Sequence, residues 1–89
     1  MKHYNWNEEK NILLKKTRKI GFESVVMHIE KGDLLDIIEN PSSNYSKQKV
    51  LIININNYIY AVPFVENEKE IFLKTIIPSR KLTRIYSGD

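Results

Sequence analysis

The pattern of apolar and polar positions near the start of the chain predicts two consecutive helices. The first begins near Glu8, where Asn5 or Asn7 can act as the N-cap, and we expect it to end at Ile20-Gly21. Two glutamates in its first turn and the basic run 15–19 in its last turn suit the helix dipole. The basic run therefore has a structural explanation that is independent of any binding role.

The second helix is predicted by apolar residues that recur along one helix side: Phe22, Val25, Val26 and Ile29. Gly32 is its expected C-terminal stop. His28 lies at the flank of the apolar side, and we interpret it as a surface or boundary residue. No second His, Asp or Glu has metal-ligand spacing to His28 on that side, so we predict no metal site and no cofactor.

The next part of the chain predicts a β-meander. After a weakly alternating edge strand over 2–6 come four strands, over 34–39, 50–55, 58–65 and 71–77, with a loop at 40–44. Asn56-Asn57 should form a two-residue hairpin turn, because Asn tolerates positive φ. Pro63 has no N–H group to donate, so it should lie at an edge or a bulge.

Alternation in the last strand predicts that Lys74 and Ile76 share one side while Leu73, Thr75 and Ile77 share the other. Ser79 can then cap a short helix whose apolar side consists of Leu82, Ile85 and Tyr86. The order β-α-α-β-β-β-β-α indicates an α+β fold. We expect the helices to pack on one face of a four- to five-stranded, mainly antiparallel sheet, with a short C-terminal helix.

Composition and charge narrow the class of protein. The 89 residues predict a single domain over 1–89, and the absence of cysteine excludes disulfides and thiolate metal sites. No apolar run is long enough to span a membrane, and the first residues lack the apolar core of a signal peptide, so we expect a cytoplasmic protein. The net charge is +3, with basic ends and an acidic middle. Such segregation suits a phosphate-bearing partner, or it is a set of solvated surfaces.

The candidate chemistry lies in the basic residues, since no catalytic motif is present. Four basic residues lie close together near the end of the chain: Lys74, Arg80, Lys81 and Arg84. They could form one site together with the basic run 15–19. Cleavage of RNA without a metal needs a base, a cation and an acid, and Lys, Arg and Tyr can share these roles. Lys74 is either a solvated lysine on the open sheet face or a cation that receives a phosphate. Tyr58 and Tyr60 either stack on bases or pack on the sheet.

Two segments of the chain resemble the BrnT family of toxins. In YNWNEEKNILLKKTRKIGFESVV, the resemblance lies in Trp6-Asn7, Lys10, the basic run 15–19, Ile20 and Phe22-Glu23. KTIIPSRKLTRIY resembles the RIISAR junction between a strand and a helix in that family, with Arg80 on the family's Arg. The resemblance covers almost the whole chain in order and spacing.

The resemblance implies a RelE-like fold and a metal-independent endoribonuclease that arrests translation, the toxin of a type II toxin–antitoxin pair. The implied partner is a small DNA-binding antitoxin of the ribbon-helix-helix type, through which alone the complex would contact operator DNA. Arg80 would stabilise the phosphate charge, with Lys74 and Arg18 assisting. Residues implied in RNA binding are Lys10, Lys15, Lys16, Lys19, Lys81, Arg84 and Tyr86.

The chain departs from the family where the family commonly has Lys-His-Gly, since Thr17, Arg18 and Lys19 stand there instead. Arg18 keeps a cation but does not deprotonate, so it is a poor proton shuttle. Pro78 and Ser79 also replace the first residues of the junction. One alternative is therefore a catalytically inactive RelE-like module that binds an antitoxin or nucleic acid. Another is a structural domain in which the basic run only caps a helix.

Overall fold

The described residues form an α+β fold, with three helices and one mixed sheet. The computed structural model describes residues 2–39 and 48–87, so the loop predicted at 40–44 lies outside the described residues. The elements are β1 (His3–Trp6), α1 (Glu8–Arg18), α2 (Phe22–Glu30), β2 (Leu34–Glu39), β3 (Lys49–Ile55), β4 (Tyr58–Glu66), β5 (Glu70–Leu73), β6 (Ile77–Pro78) and α3 (Arg80–Ser87). No helix in the described ranges is long and apolar enough to cross a membrane.

The strands form one sheet in the order β1-β5-β4-β3-β2, and β6 also pairs with β4. The predicted antiparallel meander is confirmed for β2 to β5, and β1 is an edge strand that runs parallel to β5. The hairpin between β3 and β4 turns at Asn56 and Asn57, whose φ angles are 54° and 66°. Both central residues of this turn need positive φ, which explains why two asparagines stand there.

The helices cover both faces of the sheet, so the expectation that they share one face is wrong for α3. α1 and α2 bury Leu14, Phe22 and Val25 against one face, which includes Leu51, Ile53, Val62, Phe64, Leu73 and Ile76. Leu82 of α3 packs on the opposite face against Val50, Ile52, Ile59 and Ala61. The reason is that β3 and β4 are apolar at consecutive positions, which gives the sheet a second apolar face to bury.

The last predicted strand is two short strands, β5 and β6, separated by residues 74–76. Phe64 pairs with Leu73 and Ala61 with Ile77, so these three residues lie opposite only two residues of β4. The N–H group of Lys74 donates to the carbonyl oxygen of Pro63 over 2.8 Å. Because the nitrogen and carbonyl of a strand residue point to the same side, the nitrogen of Pro63 also faces this bulge.

The bulge changes the side on which the following residues lie. Ile76 is fully buried in the same core cluster as Leu73, whereas Lys74 and Ile77 are exposed. The predicted pairing of Ile76 with Lys74 on one side is therefore wrong, because an extra residue in a strand shifts the alternation of its side chains. The placement of Pro63 at a bulge is confirmed.

The helix ends follow local capping rules. The side chain of Asn7 accepts a hydrogen bond from the N–H group of Lys10 at the start of α1, and Ser79 Oγ accepts one from Leu82 at the start of α3. Gly32, with a φ of 92°, ends α2 as predicted. The predicted end of α1 at Ile20-Gly21 is late by about one half-turn, because Lys19 takes the left-handed conformation, with a φ of 60°.

Candidate functional site

The basic end of α1 meets the bulge that follows β5. Arg18 Nη1 donates to the carbonyl oxygen of Ile76 over 2.6 Å. Near the other end of α1, a groove is lined by two lysines and one carboxylate, together with polar and apolar side chains: Lys10, Lys74, Glu9, Asn7, Leu13 and Phe72. The expectation that the N-terminal helix lies close to the last strand is therefore confirmed, and the bulge is the part of the strand that the helix contacts.

Lys74 is an exposed cation beside an aromatic ring. Its Nζ atom lies 5.3 Å from the centroid of the Phe72 ring, which is within the range of a cation–π contact. No carboxylate in the described part of the chain lies within ion-pair distance of Lys74. The charge of Lys74 is thus available to an anion in the groove.

Arg80 lies at the first position of α3 and is exposed. No hydrogen bond or ion pair within residues 2–39 and 48–87 links it to Arg18 or Lys74. Arg18 belongs to the helix layer on one face of the sheet, and Arg80 begins the helix that packs on the other face. The contact of Arg18 with Ile76 brings Arg18 to the bulge that follows Lys74, but Arg80 lines neither cleft, so the structure does not bring all three predicted catalytic residues into one site.

The predicted RNA-binding residues fall into two groups. Lys15 is engaged in the structure, since its Nζ atom lies 3.0 Å from Glu23 Oε2. The side chains of the others make no hydrogen bond or ion pair with another described residue: Lys10, Lys16, Lys19, Lys81, Arg84 and Tyr86. Tyr58 and Tyr60 make an edge contact at 5.6 Å between ring centroids, and Tyr60 also packs against the core, which supports the packing role considered for them.

Glu23 joins α1 to the start of α2. The buried Asn11 side chain accepts a hydrogen bond from the Phe22 N–H group and donates one to Glu23 Oε1, over 2.8 and 3.0 Å. The Asn11 amide, and after it the Glu23 N–H group and Lys15, hold the pKa of the Glu23 carboxyl below its usual value. This network fixes the angle between α1 and α2, and with it the position of the basic end of α1.

A second basic cleft lies at the C-terminal end of α1, with a volume of about 400 Å³. Arg18 and Lys19 reach it from the end of α1, and Lys31 reaches it from the end of α2. Ser24, Asn56 and Tyr60 supply polar groups, and none of its lining residues is acidic. The cleft therefore combines three cations with neutral hydrogen-bonding groups, as a site for a phosphate does.

His28 also lines this cleft, and it is buried, so the prediction of a surface or boundary residue is wrong. The residue is only 6% exposed, and its Nδ1 atom lies 2.7 Å from Asp33 Oδ2. The sequence pattern missed this pair because Asp33 follows the turn at Gly32, beyond the helix on which ligand spacing was considered. Lys31 was missed as well, since it stands alone in an acidic segment.

Comparison with models of protein families, with curated proteins and with solved structures found no match for this chain. The RelE-like and BrnT interpretations therefore stay predictions from the sequence. Within the described ranges, no three His, Asp or Glu side chains lie close enough together to hold a metal ion. A functional interpretation rests on the two basic clefts and the residues that line them.

Proposed function

We propose that this protein is a metal-independent ribonuclease of the RelE-like BrnT type. It would be the toxin of a type II pair, cleave RNA to arrest translation, and be neutralised by a small DNA-binding antitoxin. The observation that carries the proposal is the contact of α1 with the bulge after β5, sealed by the hydrogen bond from Arg18 to Ile76. This contact aligns two basic clefts along one helix.

The spacing of the two clefts fits an extended polyanion. Lys10 borders the first cleft and Arg18 the second, and two turns of helix, about 12 Å, separate their Cα atoms. An RNA strand carries a phosphate at every nucleotide, so a single strand lying along α1 would meet cations at both ends. Arg18 and Arg80 suit phosphate because a guanidinium donates two parallel hydrogen bonds.

The conformation of Lys19 supports the resemblance to BrnT proteins. Lys19 occupies the place where that family commonly has a glycine, and its left-handed backbone conformation is the one that glycine adopts most readily. The junction with Arg80 supports it too, because β6 ends at Pro78 and α3 begins at Arg80, as a strand-to-helix junction requires.

The test is expression of the wild type and of the double variant Lys74→Gln/Arg80→Gln in a bacterium, with growth and total RNA measured together. We expect the wild type to arrest growth with loss of RNA, and the double variant to lose both effects. Lys69→Gln is the matched control, because Lys69 is an exposed lysine in the turn before β5, away from both clefts. Arrest by the double variant at the wild-type level would contradict the assignment of Lys74 and Arg80.

Arg18 favours a second candidate, an inactive binding module for an antitoxin or nucleic acid. Its guanidinium replaces the family's histidine, cannot act as a proton shuttle, and already donates from Nη1 to the backbone of the bulge. A folded wild type that binds RNA with a steep salt dependence but leaves it intact would establish this candidate in place of the ribonuclease.

A further inference from the structure

We propose that the cleft of Arg18, Lys19 and Lys31 binds the scissile phosphate of RNA and that His28 is the base that takes the 2′-hydroxyl proton. The catalytic part of this inference rests on the proposed ribonuclease function, whereas the phosphate site does not. No part of the sequence pattern assigned a role to His28, Asp33 or Lys31. The argument comes from the burial, pairing and charge of the residues around the cleft.

His28 is held in one tautomer by its neighbour. The Asp33 carboxylate lies 2.7 Å from Nδ1, and a carboxylate can only accept a hydrogen bond, so the ring proton stands on Nδ1. The Asp33 N–H group in turn donates to the His28 carbonyl oxygen over 2.9 Å, which fixes the carboxylate beside the ring. The neutral ring then carries its lone pair on Nε2.

The Nε2 atom of His28 remains open to a substrate. It has no hydrogen-bond partner within the described residues. Among these residues, Asn54 Oδ1 is the only side-chain polar atom that is both completely buried and without a hydrogen-bond partner, so Nε2 is not completely buried. His28 lines the cleft, although the residue is only 6% exposed. A buried ring with one free nitrogen has the arrangement of a general base oriented by a carboxylate.

The cations of the cleft lack protein partners. Lys19 and Lys31 form no ion pair with any carboxylate in the described part of the chain, and Arg18 donates to a neutral carbonyl oxygen. Lys19 is also held in the left-handed conformation, which is unfavourable for a residue other than glycine. Uncompensated charge and backbone strain at one cleft indicate a binding site rather than a packing arrangement.

The reaction follows from this geometry with atoms and protons in balance. His28 Nε2 takes the proton of the 2′-hydroxyl, the 2′-oxygen forms a bond to phosphorus, and the bond from phosphorus to the 5′-oxygen breaks. The hydroxyl of Tyr60, on the same cleft, gives its proton to the leaving 5′-oxygen. The products are a 2′,3′-cyclic phosphate and a 5′-hydroxyl, and a proton passes from His28 to Tyr60 through solvent to reset both groups.

The first measurement needs no cleavage activity. Inorganic phosphate is titrated into the wild type while the imidazole resonances of both histidines are followed by NMR. His3 is the matched control, because it is the chain's other histidine and lies exposed on β1. We expect phosphate to shift the His28 resonances and not those of His3, and Lys31→Gln to weaken this response several-fold. Equal or absent responses of the two histidines would overturn the phosphate site.

The second measurement is cleavage of a single-stranded RNA by purified variants. We expect His28→Gln to lower kcat by about 100-fold or more, with His3→Gln unchanged. Asp33→Asn should lower kcat with KM unchanged, since Asp33 acts by positioning the ring. Urea unfolding shows whether each variant is folded, and Asp33→Asn provides the test if His28→Gln is not.

The outcomes separate the two proposals. Wild-type kcat in folded His28→Gln would overturn the role of His28 and leave the ribonuclease proposal standing. A phosphate response at His28 in a wild type that cleaves no RNA would overturn the ribonuclease and the catalytic step together, and leave the phosphate site. Loss of kcat in His28→Gln together with the phosphate response would support both.

Discussion

At Lys19, the stability of the helix end and the proposed binding of phosphate favour different residues. Its φ of 60° ends α1 with a backbone conformation that favours glycine, yet its side chain brings a cation to the second cleft. A glycine there would stop the helix with less strain but would carry no charge. The choice of lysine is explained by the cleft rather than by the helix.

We predict that Lys19→Gly raises the free energy of unfolding by about 0.5 kcal/mol, because it relieves the left-handed conformation. The same variant should bind inorganic phosphate more weakly. Lys16→Gly is the matched control: it also removes an exposed lysine, but from the interior of α1, and should lower the free energy of unfolding by about 1 kcal/mol. Urea unfolding measures the free energy of unfolding of both variants. An equal decrease of this free energy in the two variants would contradict the prediction.

Glu23 gives the protein a defined sensitivity to acid. Its pKa is lowered in the folded state, first by the Asn11 amide, so its ionised form stabilises the fold above the pKa of the unfolded chain, about 4.3. This contribution is lost as the pH falls through the lower, folded-state pKa. We predict that Glu23→Gln is less stable than the wild type at pH 7, by about 1 kcal/mol or less, since the side chain is half-exposed.

The measurement is urea unfolding of the Glu23→Gln variant and the wild type at pH 7 and at pH 3. The difference between them should be smaller at pH 3 than at pH 7, because protonation of the Glu23 carboxyl becomes progressively more favourable below the pKa of the unfolded chain. Glu68→Gln serves as the control, because Glu68 is exposed and its side chain makes no hydrogen bond or ion pair within the described ranges. A difference that is the same at both pH values would assign the effect to the amide substitution and not to ionisation.

At the scale of elements, the strand β2 stands out as an exposed apolar edge. It ends the sheet, and Leu35, Ile37 and Ile38 are each at least 40% exposed. The N–H group of Ile37 is covered by the side chain of Asp36, whose Oδ1 atom accepts its hydrogen bond over 2.8 Å. Asp36 thus occupies a backbone group that another strand would otherwise use.

We predict that Asp36→Ala promotes self-association, because it frees the Ile37 N–H group at an apolar edge. Glu39→Ala is the matched control, since it removes the same charge from the same strand without uncovering that group. Light scattering at rising protein concentration should show association at lower concentration for Asp36→Ala than for Glu39→Ala. Association of the two variants at the same concentration would mean that negative charge alone keeps the β2 edges of two molecules from pairing.

The elements that could be predicted from the sequence are those set by a residue's own backbone or cap. Asn56-Asn57, Ser79 and Pro63 each act within a few residues, and each has the predicted role. The side on which Ile76 lies could not be predicted, because it depends on where the bulge falls between two strands. The face that α3 covers also depends on long-range packing, although the consecutive apolar residues of β3 indicate two buried faces.

The candidate site was predictable only in its cations. Arg18, Lys19 and Lys74 were identified because charge is visible in the sequence, and the two clefts use all three. His28 was not identified, since its partner Asp33 follows a glycine turn and the pair forms only when α2 ends at Glu30. Proton-transfer groups depend on such contacts, which periodicity does not reveal.

At the scale of the whole molecule, the charges are divided between regions. Cations without a partner among the described residues lie on α1, at the two clefts and on α3, although the first turn of α1 also carries Glu8 and Glu9. The charged residues of the edge strand β2 are acidic, so β2 would repel a polyanion. The exposed apolar residues of β2 are separate from the residues that line the two clefts.

The pairing of β1 with β5 has a consequence for the time at which the protein becomes functional. His3 pairs with Glu70 and Trp6 with Leu73, so β1 has no neighbouring strand among the described residues until β5 has been synthesised. The groove between α1 and the bulge forms later still. Contacts of such long sequence separation form late in folding. A nascent chain would therefore have no assembled groove until the segment 70–77 has been synthesised and β5 has paired with β1.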